Sequence, residues 1–284
     1  MATFTNQATL TYNGRTVASN TVTGQLISPL CITKTAGDDT YRPGNTVSYV
    51  IALVNDGSVN YDNLTLTDDL GGYEAAGRTV YPLAYVQGSV RYFINGVPQP
   101  APQAAPGGPL VITGISVPAG GNAILVYETL ITQAAPLTAG AEIVNNAVLT
   151  GTGINTPPQA QASISVEQTA ELTIVKSLYP ATVPENGQLT YTFTLQNSGN
   201  QAADAAAQIA ISDLFDPILK NITVTLDGDV LTAGTDYTYN AVTGQFNTVP
   251  GRITIPAATF AQCVENGDWT VTPGETVLTV SGTV

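Results

Sequence analysis

The sequence repeats itself once, and the repeat is out of phase with the ends of the chain. Leu30-Cys31-Ile32-Thr33-Lys34 matches Leu172-Thr173-Ile174-Val175-Lys176, and Tyr49 and Tyr191 follow at the same spacing inside TVSYVIALVNDG and QLTYTFTLQNSG. Leu64-Thr65-Leu66-Thr67-Asp68 is echoed by Ile209-Ala210-Ile211-Ser212-Asp213, YFING by VTLDG, and Ile115–Ala119 by Ile253–Ala257. The order is kept throughout, which makes this a duplication. The first copy continues past Ala123–Ile131 into one more strand-like run, Ile143–Thr150. The second copy stops at Val277–Val284, the counterpart of Ile124–Ile131, so its closing strand is missing. A run of the missing type stands at the opposite end, where Phe4–Thr11 matches Ile143–Thr150.

Each copy alternates apolar and polar residues at period two and is broken by Gly, Pro, Asn and Asp. Asn95-Gly96 and Asp227-Gly228 read as hairpin turns. Many short strands with turns between them predict an all-β fold of two tandem immunoglobulin-like sandwiches. The expected boundaries are a donor strand and linker over 1–26, a first domain over 27–153, a linker over 154–169, and a second domain over 170–284 that lacks its last strand. The length of 284 residues suits two domains of roughly 150 residues.

Composition narrows the function. The chain has no His, which removes the commonest general base and metal ligand. A net charge of −13 with eight Lys and Arg argues against nucleic acid and suits a surface polymer kept soluble by self-repulsion. No apolar run reaches the ~20 residues of a membrane span. The start has no signal-peptide pattern. Export by lysis, assembly in a compartment that later lyses, or prior removal of a leader are the routes this leaves open. No cofactor and no metal is expected: Asp38-Asp39, Asp68-Asp69 and Asp227-Gly228-Asp229 fit no calcium loop and read as solvated turns.

A sandwich without its last strand exposes unpaired backbone and an apolar groove. A strand of matching pattern can fill that groove by β-augmentation. Phe4, Asn6, Ala8 and Leu10 form the expected inward face of such a donor strand, with the segment from Asn13 to Pro29 as linker. Passed from chain to chain, the contact is head-to-tail and builds a filament. The alternative is a tail or an extra edge strand on the first domain.

The ordered set of a lysine on the first strand, Y-x-(I/F)-x-L-x-N-x-G, L-T-D and V-N-N-A resembles the conserved repeat domain of unknown function eleven, found in tandem in bacterial and archaeal surface proteins. The resemblance covers nearly the whole chain. It implies an immunoglobulin-like sandwich, a surface location, a stalk or fibre role and, often, intramolecular isopeptide cross-links. The second copy departs from it by lacking the terminal Asn strand and by an insertion around 258–273 that carries Cys263 and Trp269. The absence of a signal peptide is also similar to endospore appendage subunits, which implies a spore surface.

Two of the three lysines, Lys34 and Lys176, occupy equivalent places, in phase with Leu30 and Ile32 and with Leu172 and Ile174. Asp68 and Asp213 continue the inward phase of their strands. A buried ammonium needs a partner. One reading is a buried Lys–Asp ion pair in each copy. The other adds Asn145: burial lowers a lysine pKa and raises an aspartate pKa, the neutral amine attacks the carboxamide, and Asp68 shuttles protons as ammonia leaves. In the second copy Asn6 of another chain would take the place of Asn145 beside Lys176 and Asp213. Cys31 and Cys263 match no metal spacing and read either as buried thiols or, with Cys31 facing outward, as an intersubunit disulfide. The expected protein is thus not an enzyme but the self-associating subunit of an extracellular, cell-surface or spore-surface filament. The rival is a monomeric stalk or adhesin module with a ligand site on its loops.

Overall fold

The structure is a computed structural model that describes residues 2–26, 29–75 and 77–284. The strands in chain order are β1 (Ala2–Asn6), β2 (Thr9–Tyr12), β3 (Arg15–Ala18), β4 (Val22–Leu26), β5 (Leu30–Ala36), β6 (Thr40–Tyr41), β7 (Thr46–Asn55), β8 (Tyr61–Asp68), β9 (Tyr73–Ala75), β10 (Arg78–Val80), β11 (Leu83–Tyr85), β12 (Arg91–Ile94), β13 (Val97–Gln99), β14 (Gln103–Ala105), β15 (Leu110–Val117), β16 (Gly121–Ile131), β17 (Glu142–Thr150) and β18 (Gln159–Val166). They continue as β19 (Leu172–Tyr179), β20 (Gln188–Asn197), β21 (Ser212–Leu214), β22 (Lys220–Leu226), β23 (Asp229–Val230), β24 (Tyr237–Tyr239), β25 (Gln245–Thr248), β26 (Thr259–Gln262), β27 (Trp269–Thr272) and β28 (Gly274–Thr283). A single 3-10 turn over Ala205–Ala207 is the only helical element among the described residues. The chain is all-β, with immunoglobulin-like sandwiches, and divides into two compact units: Met1–Ala135 with Glu142–Ser165, and Pro136–Ala141 with Val166–Val284.

In the first unit one sheet runs β13-β12-β16-β7-β5, with β11 also on β16, and the other runs β14-β15-β8-β17-β18-β6. Period-two patterning decides which face is buried: Val47, Tyr49, Ile51 and Leu53 of β7 and Leu64 and Leu66 of β8 point into the core. The sequence match Asn-x-Gly has a structural cause. Asn55 Oδ1 accepts the Gly57 N–H at 3.0 Å while its Nδ2 donates to the carbonyls of Val59 and Pro118; Asn197 does the same with Gly199, Gln201 and Pro256. Both asparagines are fully buried and pin the end of a long strand.

The second unit keeps the first of these sheets whole, as β19-β20-β28-β22-β23, but its other sheet has three strands, β21-β25-β24. Its core gathers around Phe193, Phe215, Phe246 and Leu278. The insertion over 258–273 forms its own hairpin, β26–β27.

Two segments expected as linkers are strands. Within 154–169, β18 pairs with β17 from Glu142↔Ser165 to Val148↔Gln159. Within 13–29, β3 and β4 fold back on β2 and β1, so residues 2–26 form a hairpin instead of one free strand and a tether. The turn at its tip is Asn13-Gly14, with φ of 47° and 75°, the left-handed geometry that Asn-Gly supplies in type I′ hairpins. That dipeptide is the same signal as Asn95-Gly96, whose turn joins β12 to β13.

Candidate cross-linking site and open sandwich edge

In the first unit Lys34 comes from β5 of one sheet, and Asp68 and Asn145 come from β8 and β17 of the other. Lys34 Nζ donates to Asp68 Oδ2 at 2.6 Å, and both side chains are wholly buried. Asp68 Oδ2 also accepts from the Tyr127 hydroxyl, and its Oδ1 accepts the Leu70 N–H at 2.9 Å. Lys34 Nζ sits 4.9 Å from the centre of the Tyr49 ring, which stacks on Tyr127. Burial pulls the Lys34 amine below its ordinary pKa, against the opposing pull of Asp68 and Asp69. A lowered pKa brings the neutral, nucleophilic form within reach.

Asn145 is fully buried in phase with Ile143, Ala147 and Leu149, and Ala147 lies opposite Asp68 in the β8–β17 register. Neither its Nδ2 nor its Oδ1 has a hydrogen-bond partner, and the Tyr49 hydroxyl is in the same condition. The Tyr49 hydroxyl lies close enough to feel the Asn145 carboxamide, yet the pair falls short of hydrogen-bond geometry. Among the described residues these three are the only such atoms. Burying an unpaired amide costs on the order of 1–3 kcal/mol. Asp69 holds the neighbouring position. Its Oδ1 accepts the Asn146 backbone N–H at 2.8 Å and its Oδ2 accepts Asn146 Nδ2 at 2.7 Å, which pins β17 beside Asn145. The sequence points to none of Tyr127, Tyr49 and Asp69 as site residues: Tyr49 marks the repeat, and Asp68-Asp69 reads as a solvated turn. Tyr127 had a signal, its inward phase on β16; Asp69 had none, since it sits one residue out of phase.

In the second unit Lys176 pairs with Asp213 and lies over the rings of Tyr191, Phe193 and Phe215. Val280, opposite Tyr191, takes the place that Tyr127 holds opposite Tyr49. The pair is open: the Lys176 side chain is 39% exposed where that of Lys34 is 0%. Ile174 is 55% exposed where Ile32 is 7%, and Leu172 is exposed where Leu30 is buried. β8 is paired on both sides, by β15 and β17, whereas among the described residues β21 is paired only by β25. Asn6 lies in β1, opposite Val22 of β4, and Phe4, Asn6, Ala8 and Leu10 are all exposed. Cys31 is exposed on the outer face of β5, Cys263 is half-buried at the end of β26, and both are free thiols. No group of three or more Cys, Asp or Glu that could hold a metal occurs among the described residues, and none of the helical structure there could cross a membrane.

No known family and no curated protein matches this sequence. Solved structures with partial likeness to the chain include three that follow. A variant of BcpA, the major pilin subunit of Bacillus cereus, is 14% identical, with 87% of this chain and 65% of that one covered at a TM-score of 0.38. The pilus backbone RrgB from Streptococcus pneumoniae is 12% identical, with 86% and 55% covered at 0.35. The collagen-binding domain from a Staphylococcus aureus adhesin is 13% identical, with 51% and 100% covered at 0.29. The chain thus spans between about half and two thirds of the two pilin chains' lengths.

The buried tyrosines give the protein an alkaline limit. Burial raises Tyr41, Tyr49, Tyr92, Tyr127 and Tyr237 above the ordinary phenol pKa, and at Tyr127 the Asp68 carboxylate adds to it. A raised folded pKa contributes stability that is whole below the unfolded value near 10 and is lost as pH climbs toward the folded value. An alkaline titration followed by tyrosinate absorbance and circular dichroism should show these phenols ionising only as the fold is lost. Smooth ionisation of all thirteen tyrosines about the ordinary midpoint, with the fold intact, would contradict this.

Proposed function

We propose that this chain is the structural subunit of a surface filament, polymerised head to tail by its N-terminal strand and reinforced by Lys–Asn amide bonds. The observation that carries the reading is the open edge of the second unit. β19 presents Leu172, Ile174 and Lys176 uncovered, β21 has a bare side among the described residues, and a run patterned like β17 is exposed at the N-terminus. In the filament Asn6 of one copy would stand beside Lys176 and Asp213 of the next, as Asn145 stands in the site of Lys34 and Asp68. A location outside the cell, on its surface or on a spore, follows from that role.

The chemistry balances without a cofactor. Lys34 passes a proton to Asp68, and its free amine attacks Asn145 Cγ. The new N–C bond forms as the Cγ–Nδ2 bond breaks: Nδ2 takes up the proton held by Asp68 and leaves as ammonia, and the attacking nitrogen gives its second proton back to Asp68, which ends neutral. The orphan Nδ2 is gone, the new amide N–H remains near Asp68, and a buried charge has become a neutral amide. This is a single self-modification and turns nothing over.

The test is electron microscopy of the concentrated protein, followed by boiling in detergent with reductant. Filaments that yield ladders of multimers are expected, and Lys176→Ala should keep the filaments while collapsing the ladder to single chains. A monodisperse monomer at high concentration would defeat the filament reading in favour of a stalk module. Complete recovery of single chains from boiled wild-type filaments would defeat the covalent joint alone.

A further inference from the structure

We propose that the element passed between subunits is the whole hairpin β1–β4, not one strand, and that it closes the second unit of the next chain along two borders at once. The inference rests on the filament reading and sharpens what is exchanged. Its first support is register. Asn145 pairs with Ala162 across β17–β18, and Asn6 pairs with Val22 across β1–β4. With Asn6 aligned to Asn145, Thr3↔Gln25 falls on Glu142↔Ser165 and Phe4↔Gly24 on Ile143↔Ile164. Each hairpin then runs within a few residues into its own lysine strand, β5 or β19. The N-terminal hairpin is therefore a second copy of the β17–β18 hairpin, detached from any sandwich.

The second support is what the gap lacks. In the first unit β17 borders β8, β18 borders β6, and Ser165 N–H donates to the Asp39 carbonyl at 2.9 Å. Among the described residues the second unit has no counterpart of either strand of that hairpin, and the segment 181–183, at the place of β6, carries no strand. One inserted strand would pair β21 and leave that segment unmet. A hairpin meets both, with Ala8 opposite Asp213 as Ala147 is opposite Asp68, and the Gln25 N–H directed at the Ala181 carbonyl.

The third support is the hairpin itself. Among the described residues its strands pair with no other strand. Apolar side chains stand exposed on both of its strands: Phe4 and Leu10 on one, Val17 and Val22 on the other, with Leu10 and Val17 directly opposite. An isolated two-stranded hairpin is at best marginally stable in water and needs a sheet or core to cover its apolar side. Phe4 lies across Gly24, where a Cβ would come within 2.3 Å of its ring, so the two strands already share one surface.

A staple tests this in the full-length chain. With Cys31 and Cys263 changed to Ser, Thr5→Cys and Thr23→Cys place a cross-strand disulfide on the face away from Phe4, at a paired position; Thr3→Cys with Gln25→Cys is the second version. Assembly of oxidised and reduced protein is compared by light scattering, and hydrogen exchange is read over residues 22–26 in the assembled state. Equal assembly in both states, with 22–26 slowed as strongly as 2–12, is the expected result. Assembly of the reduced chain but not of the oxidised one, with either staple, overturns hairpin donation and leaves strand donation standing. Rapid exchange of 22–26 in filaments does the same. Failure of the unstapled chain to assemble at all overturns both.

Discussion

Deleting residues 2–11 should abolish filaments and leave folded single chains. Among the described residues the deleted strands pair only with β3 and β4, so no sandwich strand pairing is lost and the melting temperature of the body should move little, as for surface changes worth about 0.5 kcal/mol or less. Assembly loses far more. In the filament the donor covers Leu172, Ile174 and the aliphatic part of Lys176, all exposed in the free chain. Burial of such side chains is worth roughly 1.5–3 kcal/mol each, so association should weaken on the order of a thousandfold or more at 1.4 kcal/mol per decade. Ala8→Arg is the gentler form of the test. It leaves the hairpin backbone intact but puts a bulky cation at the place where Ala147 is fully buried in the first unit. Both variants are read by sedimentation and electron microscopy. Fibres of ordinary width from the deletion would end the donor reading.

Asn145→Ala gives a result whose sign depends on whether the covalent bond exists. Without a bond, the substitution removes two orphaned buried polar atoms and should be neutral or stabilising, because an unsatisfied buried amide costs about 1–3 kcal/mol. With a bond, it removes a cross-link that closes a loop of about 110 residues, which chain-entropy arithmetic values at about 4–5 kcal/mol. For a unit of this size that is a fall in melting temperature of roughly 8–20 °C. Intact mass provides the second reading. The wild-type chain should weigh about 17 Da less than its sequence, one ammonia per amide, and the variant should have its full mass. Asp68→Asn should also restore the full mass while leaving Lys34 and Asn145 in place, since the proton relay is lost. A wild-type chain of full mass, or an Asn145→Ala chain that melts higher, would rule out the intramolecular amide.

The two strand pairs written off as linkers show where sequence patterning stops. β18 reads QAQASISV, half of it Ala and Ser, and only Ile164 and Val166 are buried. A strand at the margin of a sheet needs few apolar residues, so its period-two signal is faint. The N-terminal case differs. Asn13-Gly14 carried the same hairpin signal as Asn95-Gly96, but the apolar residues around it face solvent, and a strand with no core of its own reads as a tether.

From the sequence alone came the duplication, the all-β fold and the inward phase of Lys34, Asp68 and Asn145. These are one-dimensional facts: period two assigns each side chain to a face, and a repeat compared with itself shows which positions correspond. Only the tertiary structure placed Lys34 on one sheet and Asp68 and Asn145 on the other, joined Tyr127 to Asp68 and Asp69 to Asn146, and left Asn145 without a hydrogen bond. Strand alternation says which residues point inward but not which inward residues meet across the core. That depends on how the two sheets pack, and it decides whether the lysine of one sheet faces an amide on the other.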